Sequence, residues 1–124
     1  MMRSFLLVGI GGAFGSMARY GIGYTITKAT SHTTFPLGTL AINLAGCFLI
    51  GILFGIGMRN TWMEDAGWLL LATGFCGGFT TFSTFALENI QMAGRHETMS
   101  ALLYTALSLV VGLILCRAGI WITS

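Results

Sequence analysis

The sequence predicts an all-α membrane protein with four transmembrane helices in each subunit, on the basis of composition and charge distribution. Hydrophobic residues make up 55% of the chain and charged residues 8%, whereas a soluble domain carries about 25% charged residues. Residues 4–18, 29–58, 66–87 and 98–116 contain no Asp, Glu, Lys or Arg. Because a helix needs about 20 largely apolar residues to cross the bilayer, four spans are the simplest count.

We place these spans at about 4–27, 37–58, 66–93 and 98–122, within a single four-span transmembrane domain that covers residues 1–124. The first span is long enough only if it includes Arg19, whose long side chain can reach water. Residues 1–18 also fit a secretory signal peptide. The apolar run continues beyond Arg19 to Ile26, which favours a span. Pro36 suits the start of the second helix, and Trp62, Trp68 and Trp121 fall near span ends, as interfacial aromatics do.

The positive charges give no preferred orientation in the membrane. With four spans, both termini lie on one side, which carries Arg3, Arg59 and Arg117. The other side carries the remaining three basic residues, Arg19, Lys28 and Arg95. The positive-inside rule therefore has no imbalance to act on. This balance favours a dual-topology chain that forms an antiparallel homodimer; the alternative is that a charge near a span end is assigned to the wrong side.

Small residues in the spans indicate close helix packing. Three pairs of glycines have the small-xxx-small spacing that brings helix backbones together in lipid, for packing within the subunit or for dimerisation: Gly11 and Gly15, Gly51 and Gly55, and Gly74 and Gly78. The three cysteines also lie in apolar stretches, and we expect them to be free thiols that pack as small hydrophobic residues: Cys47, Cys76 and Cys116.

The third span contains the most unusual segment of the chain, TGFCGGFTTFSTF at residues 73–85. Gly77 and Gly78 lie near the middle of the span, where a glycine costs about 1 kcal/mol relative to alanine. The pair is compatible with a helix broken near the midplane, which would expose backbone groups able to bind an ion. A continuous helix with glycines at a packing seam explains the same residues.

Polar residues in the other spans are candidates for an ion pathway. Asn43 lies inside the second span, with Thr39 one turn earlier, and supplies N–H donors without charge. Tyr104 and Ser108 form a polar stripe on the fourth span, and Glu88 is the one carboxylate placed within a span. Interhelical hydrogen bonding explains Asn43 and the stripe equally well, and Glu88 either pairs with a basic group or lines a vestibule.

No enzyme site is expected from the sequence. His32 and His96 fall in predicted loops without metal-ligand spacing, and no nucleophile–base set, phosphate-binding loop or carboxylate pair is present. A proton-coupled exporter of the small multidrug resistance type also has four short spans, but it needs a carboxylate in the first span, and residues 4–27 contain none. A non-transporting assembly protein would explain the glycines, but not the clustered hydroxyl groups.

Three motifs, taken together, resemble those of the Fluc (CrcB) fluoride channels. They are GGAFGSMARY at residues 11–20, PLGTLAIN at 36–43 and GFCGGFTTFSTF at 74–85. The third motif is the most specific, and the resemblance extends over the whole chain in the same order. It implies a fluoride-selective passive channel that exports fluoride, and a multi-pass protein of the bacterial inner membrane.

The resemblance also implies an assembly and roles for individual residues. The fold would be an antiparallel, dual-topology homodimer in membrane lipid, with two fluoride pores. The expected pathway residues are Asn43, Phe82, Phe85, Tyr104, Ser108, Thr39 and Thr84. Arg19 and Glu88 would lie in vestibules. The third helix would be broken near the midplane, and the break would place the backbone carbonyls of Gly77 and Thr80 from both subunits around a structural Na⁺ at the dimer centre. The family often has a further hydroxyl group where this chain has Gly112, so the length of the hydroxyl track stays open.

Overall fold

The computed structural model contains four helices that are long and apolar enough to cross a membrane, Met2–Ala29, Leu37–Gly57, Trp68–Gly94 and Thr98–Thr123. It describes the backbone of residues 1–124 and all side chains except those of Trp62 and Glu64, so the predicted interfacial position of the Trp62 side chain lies outside the described residues. Each span begins and ends within two residues of the position expected from sequence. The first helix is continuous through Arg19 to Ala29, as a span requires.

The third span is divided, as the sequence allows. We label the first span α1 (Met2–Ala29) and the second α2 (Leu37–Gly57). The third consists of α3, residues 68–79, which is π-helical over Trp68–Cys76 and α-helical over Gly77–Phe79, and α4 (Ser83–Gly94). The fourth span is α5 (Thr98–Thr123). A short 3₁₀ helix, Thr61–Glu64, lies between α2 and α3.

The helix break lies directly after the glycine pair, Gly77 and Gly78, and not at the pair itself. Gly77 has helical dihedral angles (φ −62°, ψ −36°), and the backbone becomes extended only at Thr80 (φ −86°, ψ 161°). Gly78 serves packing instead, because a Cβ atom there would lie 2.6 Å from the carbonyl oxygen of Gly12 in α1. The third span therefore combines the two alternatives drawn from its sequence, a glycine seam and, directly after it, a broken helix.

Glycines form two seams inside the subunit. In the α1–α3 seam, a Cβ atom at Gly74 would lie 2.9 Å from the carbonyl oxygen of Val8, and one at Gly11 would overlap the carbonyl oxygen of Leu70. In the α2–α5 seam, Gly51 faces the backbone of Cys116. Backbones can approach this closely only because no side chain separates them. The three glycine pairs found in the sequence thus pack helices within one subunit.

Two small apolar clusters complete the packing. One joins α2 to α3 around Leu53, Ala72 and Cys76, and the other joins α2, α4 and α5 around Leu40, Met92 and Tyr104. Many large apolar side chains on the outside of the four spans are exposed in the single chain, among them Phe5, Phe14, Leu113 and Trp121. A surface of this kind is suited to lipid or to a second membrane protein and not to water.

Candidate ion pathway at the helix break

Polar side chains from α1 and α2 bind the backbone at the break. The side chain of Asn43 accepts a hydrogen bond from the Thr81 N–H (2.9 Å) and donates one to the Thr81 carbonyl oxygen (3.0 Å). From α1, Arg19 donates its Nε–H to the carbonyl oxygen of Gly78 (3.0 Å), close to the end of α3. Unpaired backbone groups are costly within a membrane, so these contacts stabilise the broken helix.

Three carbonyl groups at the break have no hydrogen-bond partner in the part of the chain that the structure describes. No hydrogen bond to the carbonyl oxygens of Gly77, Phe79 or Thr80 is found among the described residues. The Thr80 N–H and hydroxyl group both donate to the Cys76 carbonyl instead, at 3.0 and 2.9 Å. The last carbonyls of a helix carry partial negative charge and attract cations. Gly77 and Thr80, which the resemblance assigns to Na⁺, are two of these three residues.

Four of the predicted pathway residues line one open groove of about 600 Å³, which we call the central groove. Its wall includes polar groups from α2 and α5, the edge of the break and two aromatic rings, contributed by Asn43, Thr80, Phe82, Phe85, Ser108 and Gly112. The ring centroids of Phe82 and Phe85 are 5.7 Å apart. The Phe82 side chain is 78% exposed in the single chain, so this groove is incomplete on one side.

Glu88 lies in a second cavity, of about 480 Å³, which we call the hydroxyl mouth. Its wall contains six hydroxyl side chains, those of Thr27, Thr30, Ser31, Thr33, Thr34 and Thr39. Glu88 accepts one hydrogen bond from Thr39 (2.9 Å) and one from Tyr104 (2.9 Å). Within the described part of the chain, Glu88 forms no salt bridge, and Arg95, which lines the same cavity, pairs with Glu97.

An aromatic contact connects the two cavities. Tyr104 is fully buried, and its ring centroid lies 5.0 Å from that of Phe85, which lines the central groove. The Tyr104 hydroxyl group donates to Glu88, which lines the hydroxyl mouth. Thr39, Glu88, Tyr104 and Phe85 therefore form a continuous line of contacts from the mouth to the groove. The polar stripe on α5 thus forms an interhelical hydrogen bond at Tyr104 and lines the central groove at Ser108.

Besides the buried Tyr104, two further predicted site residues lie outside both cavities. Thr84 receives a hydrogen bond from the Thr81 hydroxyl group (3.2 Å), and the two belong to a local hydroxyl cluster with Ser83. Arg19 lies at the break, where its contact with Gly78 fixes it. Neither residue lines the hydroxyl mouth or the central groove.

The structure also reveals polar contacts that sequence reasoning missed. Asn89 in α4 donates to the Phe85 carbonyl oxygen (3.0 Å) and accepts from Thr105 of α5 (3.1 Å). An amide within a span was the available signal, since the same argument identified Asn43. The pairing of Asn43 with Thr81 could not be read from the sequence, because it depends on how α2 faces the break.

Comparison with known proteins gives the same family as the three motifs. The sequence model of the family described as "CrcB-like protein, Camphor Resistance (CrcB)" matches residues 6–120. A protein named "Fluoride-specific ion channel FluC" from Azobacteroides pseudotrichonymphae is 42% identical, over 90% of this chain and 89% of the relative. One with the same name from Leptospira interrogans is 43% identical, over 96% and 93%. A "Fluoride-specific ion channel FluC 2" from Bacillus cereus is 41% identical, over 95% of each chain. Because the family model and these relatives match almost the whole chain, the chain belongs to the CrcB-like family.

Proposed function

We propose that this protein is a fluoride-selective passive channel that exports fluoride across the bacterial inner membrane. One observation carries the proposal: uncharged donors and aromatic rings, contributed by Asn43, Ser108, Phe82 and Phe85, line one groove beside the break. The names of relatives that match almost the whole chain at 41–43% identity support the choice of ion.

The chemistry of the groove suits a small, strongly hydrated anion. A pore must replace the water around such an ion with hydrogen-bond donors, yet bind it weakly enough for release. One N–H of the Asn43 amide donates to Thr81, and the second is left to serve an anion. The positive edges of the Phe82 and Phe85 rings add a weak attraction. None of these groups carries the full positive charge that would trap fluoride.

The channel requires a second copy of the chain. The central groove is open, and Phe82 beside it is 78% exposed, so a partner subunit is needed to close the path. The three-to-three balance of basic residues favours insertion in both orientations. An antiparallel homodimer in lipid accounts for both observations and yields two equivalent pores, one for each groove.

A structural Na⁺ at the centre of this dimer fits the free carbonyls at the break. Oxygen ligands suit a hard cation, and the carbonyl oxygens of Gly77 and Thr80 have no partner among the described residues. Two subunits would contribute four such carbonyls. Purified dimer should therefore be more stable to heat in Na⁺ than in equal concentrations of N-methylglucamine, and equal stability would contradict the site.

The membrane potential supplies the driving force for export. An inside-negative potential favours exit of one anion by about 2.3 kcal/mol per 100 mV, so no energy-coupling residue is needed. The competing exporter of the small multidrug resistance type needs a carboxylate in the first span, and α1 contains none. Glu88 is engaged by two hydroxyl groups in the hydroxyl mouth, and the comparisons support the channel and not the exporter.

The decisive experiment is fluoride efflux from liposomes that contain the purified dimer. A potassium ionophore sets the voltage, an ion-selective electrode measures released fluoride, and chloride-loaded vesicles run in parallel. We expect rapid fluoride release without matching chloride release. Absence of fluoride release from vesicles shown to contain folded dimer would refute the channel.

A pair of matched amide substitutions tests the assignment of the pathway. Asn43→Asp keeps the size and the acceptor for the Thr81 N–H, but it places negative charge in the central groove. We expect it to lower fluoride efflux at least tenfold by repelling the anion. Asn89→Asp introduces the same charge at an amide that lines neither cavity, and should lower efflux much less. Equal losses in two folded dimers would contradict the assignment.

A further inference from the structure

The thiol of Cys47 lies beside Gly112, the position at which the polar stripe of α5 has no side chain. Tyr104, Ser108 and Gly112 occupy successive turns of α5, and Gly112 contributes no side chain to the stripe. A Cβ atom placed on Gly112 would lie 3.3 Å from the Cys47 Sγ atom, which reaches this position from α2. The sulfur is the nearest atom to this position, and Leu44 follows at 3.9 Å.

The same groove connects this thiol to the proposed pathway. Cys47 and Gly112 both line the central groove, together with Asn43 and Ser108. The Ser108 Oγ atom is buried and has no hydrogen-bond partner among the described residues. An unsatisfied buried hydroxyl group is costly unless a ligand or water serves it. The groove thus contains a free donor one turn before Gly112, and the Cys47 thiol at the level of Gly112 itself.

We propose that the Cys47 thiol lines the fluoride path at the level of Gly112, as the neutral group that follows Ser108. The proposal rests on the channel function proposed above and adds a residue to its pathway. A thiol suits this place because its S–H is a weak, uncharged donor. It extends the series of neutral donors without adding a charge that would hold the anion.

Substitutions at Cys47 separate its donor from its volume. Cys47→Ser keeps a donor and should retain fluoride efflux, whereas Cys47→Val keeps a similar volume without a donor and should lower efflux roughly threefold to tenfold. Thr25→Val is the control, because it removes an uncharged donor from an exposed side chain of α1 that lines neither cavity. Unchanged efflux in Cys47→Val, or an equal fall in both valine variants, would overturn the proposal.

A swap of the side chain between helices gives a readout that a packing role would not produce. Cys47→Ala removes the thiol and should lower efflux. Adding Gly112→Ser to that variant places a hydroxyl group in the vacated space and should restore efflux at least partly. Adding Gly112→Ala instead refills the space without a donor and should not restore efflux; equal restoration by both would contradict a polar role. Gly112→Ser alone crowds the sulfur, because its Cβ atom would lie 3.3 Å from Sγ, and should not raise efflux. Failure of the double variant to exceed Cys47→Ala, as a folded dimer, would contradict a polar role.

Chemical modification tests exposure to the path directly. In Cys76→Ala/Cys116→Ala protein, Cys47 is the sole cysteine. Methyl methanethiosulfonate transfers its methylthio group to the Cys47 sulfur; a disulfide forms, the S–SO₂ bond breaks, methanesulfinate leaves, and the thiol proton passes to water. We expect complete modification, verified by mass spectrometry, to reduce fluoride efflux severalfold.

The triple alanine variant, which lacks Cys47 as well, should keep its efflux in the presence of the reagent. Full modification without loss of efflux, or resistance of Cys47 to modification in conducting protein, would overturn the proposal. These outcomes differ from failure of the channel function itself, in which the unmodified wild-type dimer would release no fluoride.

Discussion

The glycine seams and the helix break are stabilised in lipid by opposite means. In the α2–α5 seam, Gly51 removes the side chain so that backbone meets backbone at Cys116. At the break, Asn43 and Arg19 extend long polar side chains to a backbone that has lost its helical partners. A seam therefore has no tolerance for added atoms, whereas the break depends on particular donor and acceptor atoms.

The largest loss of stability is expected when a substitution adds one carbon atom to a glycine seam. In Gly51→Ala the new Cβ atom would lie 3.0 Å from the carbonyl carbon of Cys116 and overlap its oxygen, so the helices must separate. We expect a loss of about 3 kcal/mol in the free energy of unfolding. The measurement is the temperature at which half of the detergent-purified protein leaves its monodisperse chromatographic peak.

Gly21→Ala is the matched control for this change. A Cβ atom at Gly21 meets nothing within 4 Å in the single chain, and alanine is the better helix former. The control should therefore be as stable as the wild type or slightly more so. If Gly51→Ala were equally stable, the close approach of α2 and α5 would not be a determinant of the fold.

A smaller effect is expected when the break loses its charged donor. Arg19→Met keeps the length of the side chain but removes the hydrogen bond to the Gly78 carbonyl. A hydrogen bond to a charged group contributes about 1.5–3 kcal/mol. We therefore expect a loss of about 2 kcal/mol in the free energy of unfolding, seen as a smaller fall in the same midpoint temperature than in Gly51→Ala. Arg19→Lys retains a donor and should lose less. Equal stability of all three proteins would show that the break does not need Arg19.

The smallest effect is expected at the contact between the two cavities. Tyr104→Phe removes the hydroxyl group that donates to Glu88, while Thr39 still donates to the other carboxylate oxygen. We expect a loss of about 1 kcal/mol in stability, with a measurable fall in fluoride efflux. Tyr20→Phe, at an exposed residue, should change neither quantity. A larger loss than in Arg19→Met would reverse the order of these contacts.

The sequence was sufficient to predict the spans, because their length and lack of charge follow directly from the bilayer. It left the break open, since a packing seam explains the same glycines, and Gly77 and Gly78 suggested a position slightly before the extended backbone at Thr80; only the family resemblance implied the break. It could not predict that Gly78 packs on Gly12, since a glycine pair has the same sequence whether it bends a helix or joins two.

The contacts of the site residues were harder to predict. Glu88 is within hydrogen-bonding distance of Thr39 and Tyr104 only because α2, α4 and α5 converge there. Their separations in the chain have no helical period that would reveal this. Cys47 was predicted as an ordinary apolar side chain, because its neighbour Gly112 lies in another span and leaves no signal near it in the sequence.

The order of the polar contacts along the chain has a consequence for biosynthesis. Arg19 and Asn43 both precede Gly78 and Thr81, the backbone positions that they bind. Protein chains emerge from the ribosome N-terminus first, so α1 and α2 are in the membrane before the broken span is delivered. The exposed peptide groups of the break can therefore bind Arg19 and Asn43 as soon as they enter the membrane. The nascent chain then has no stage at which these groups lie in lipid without hydrogen-bond partners.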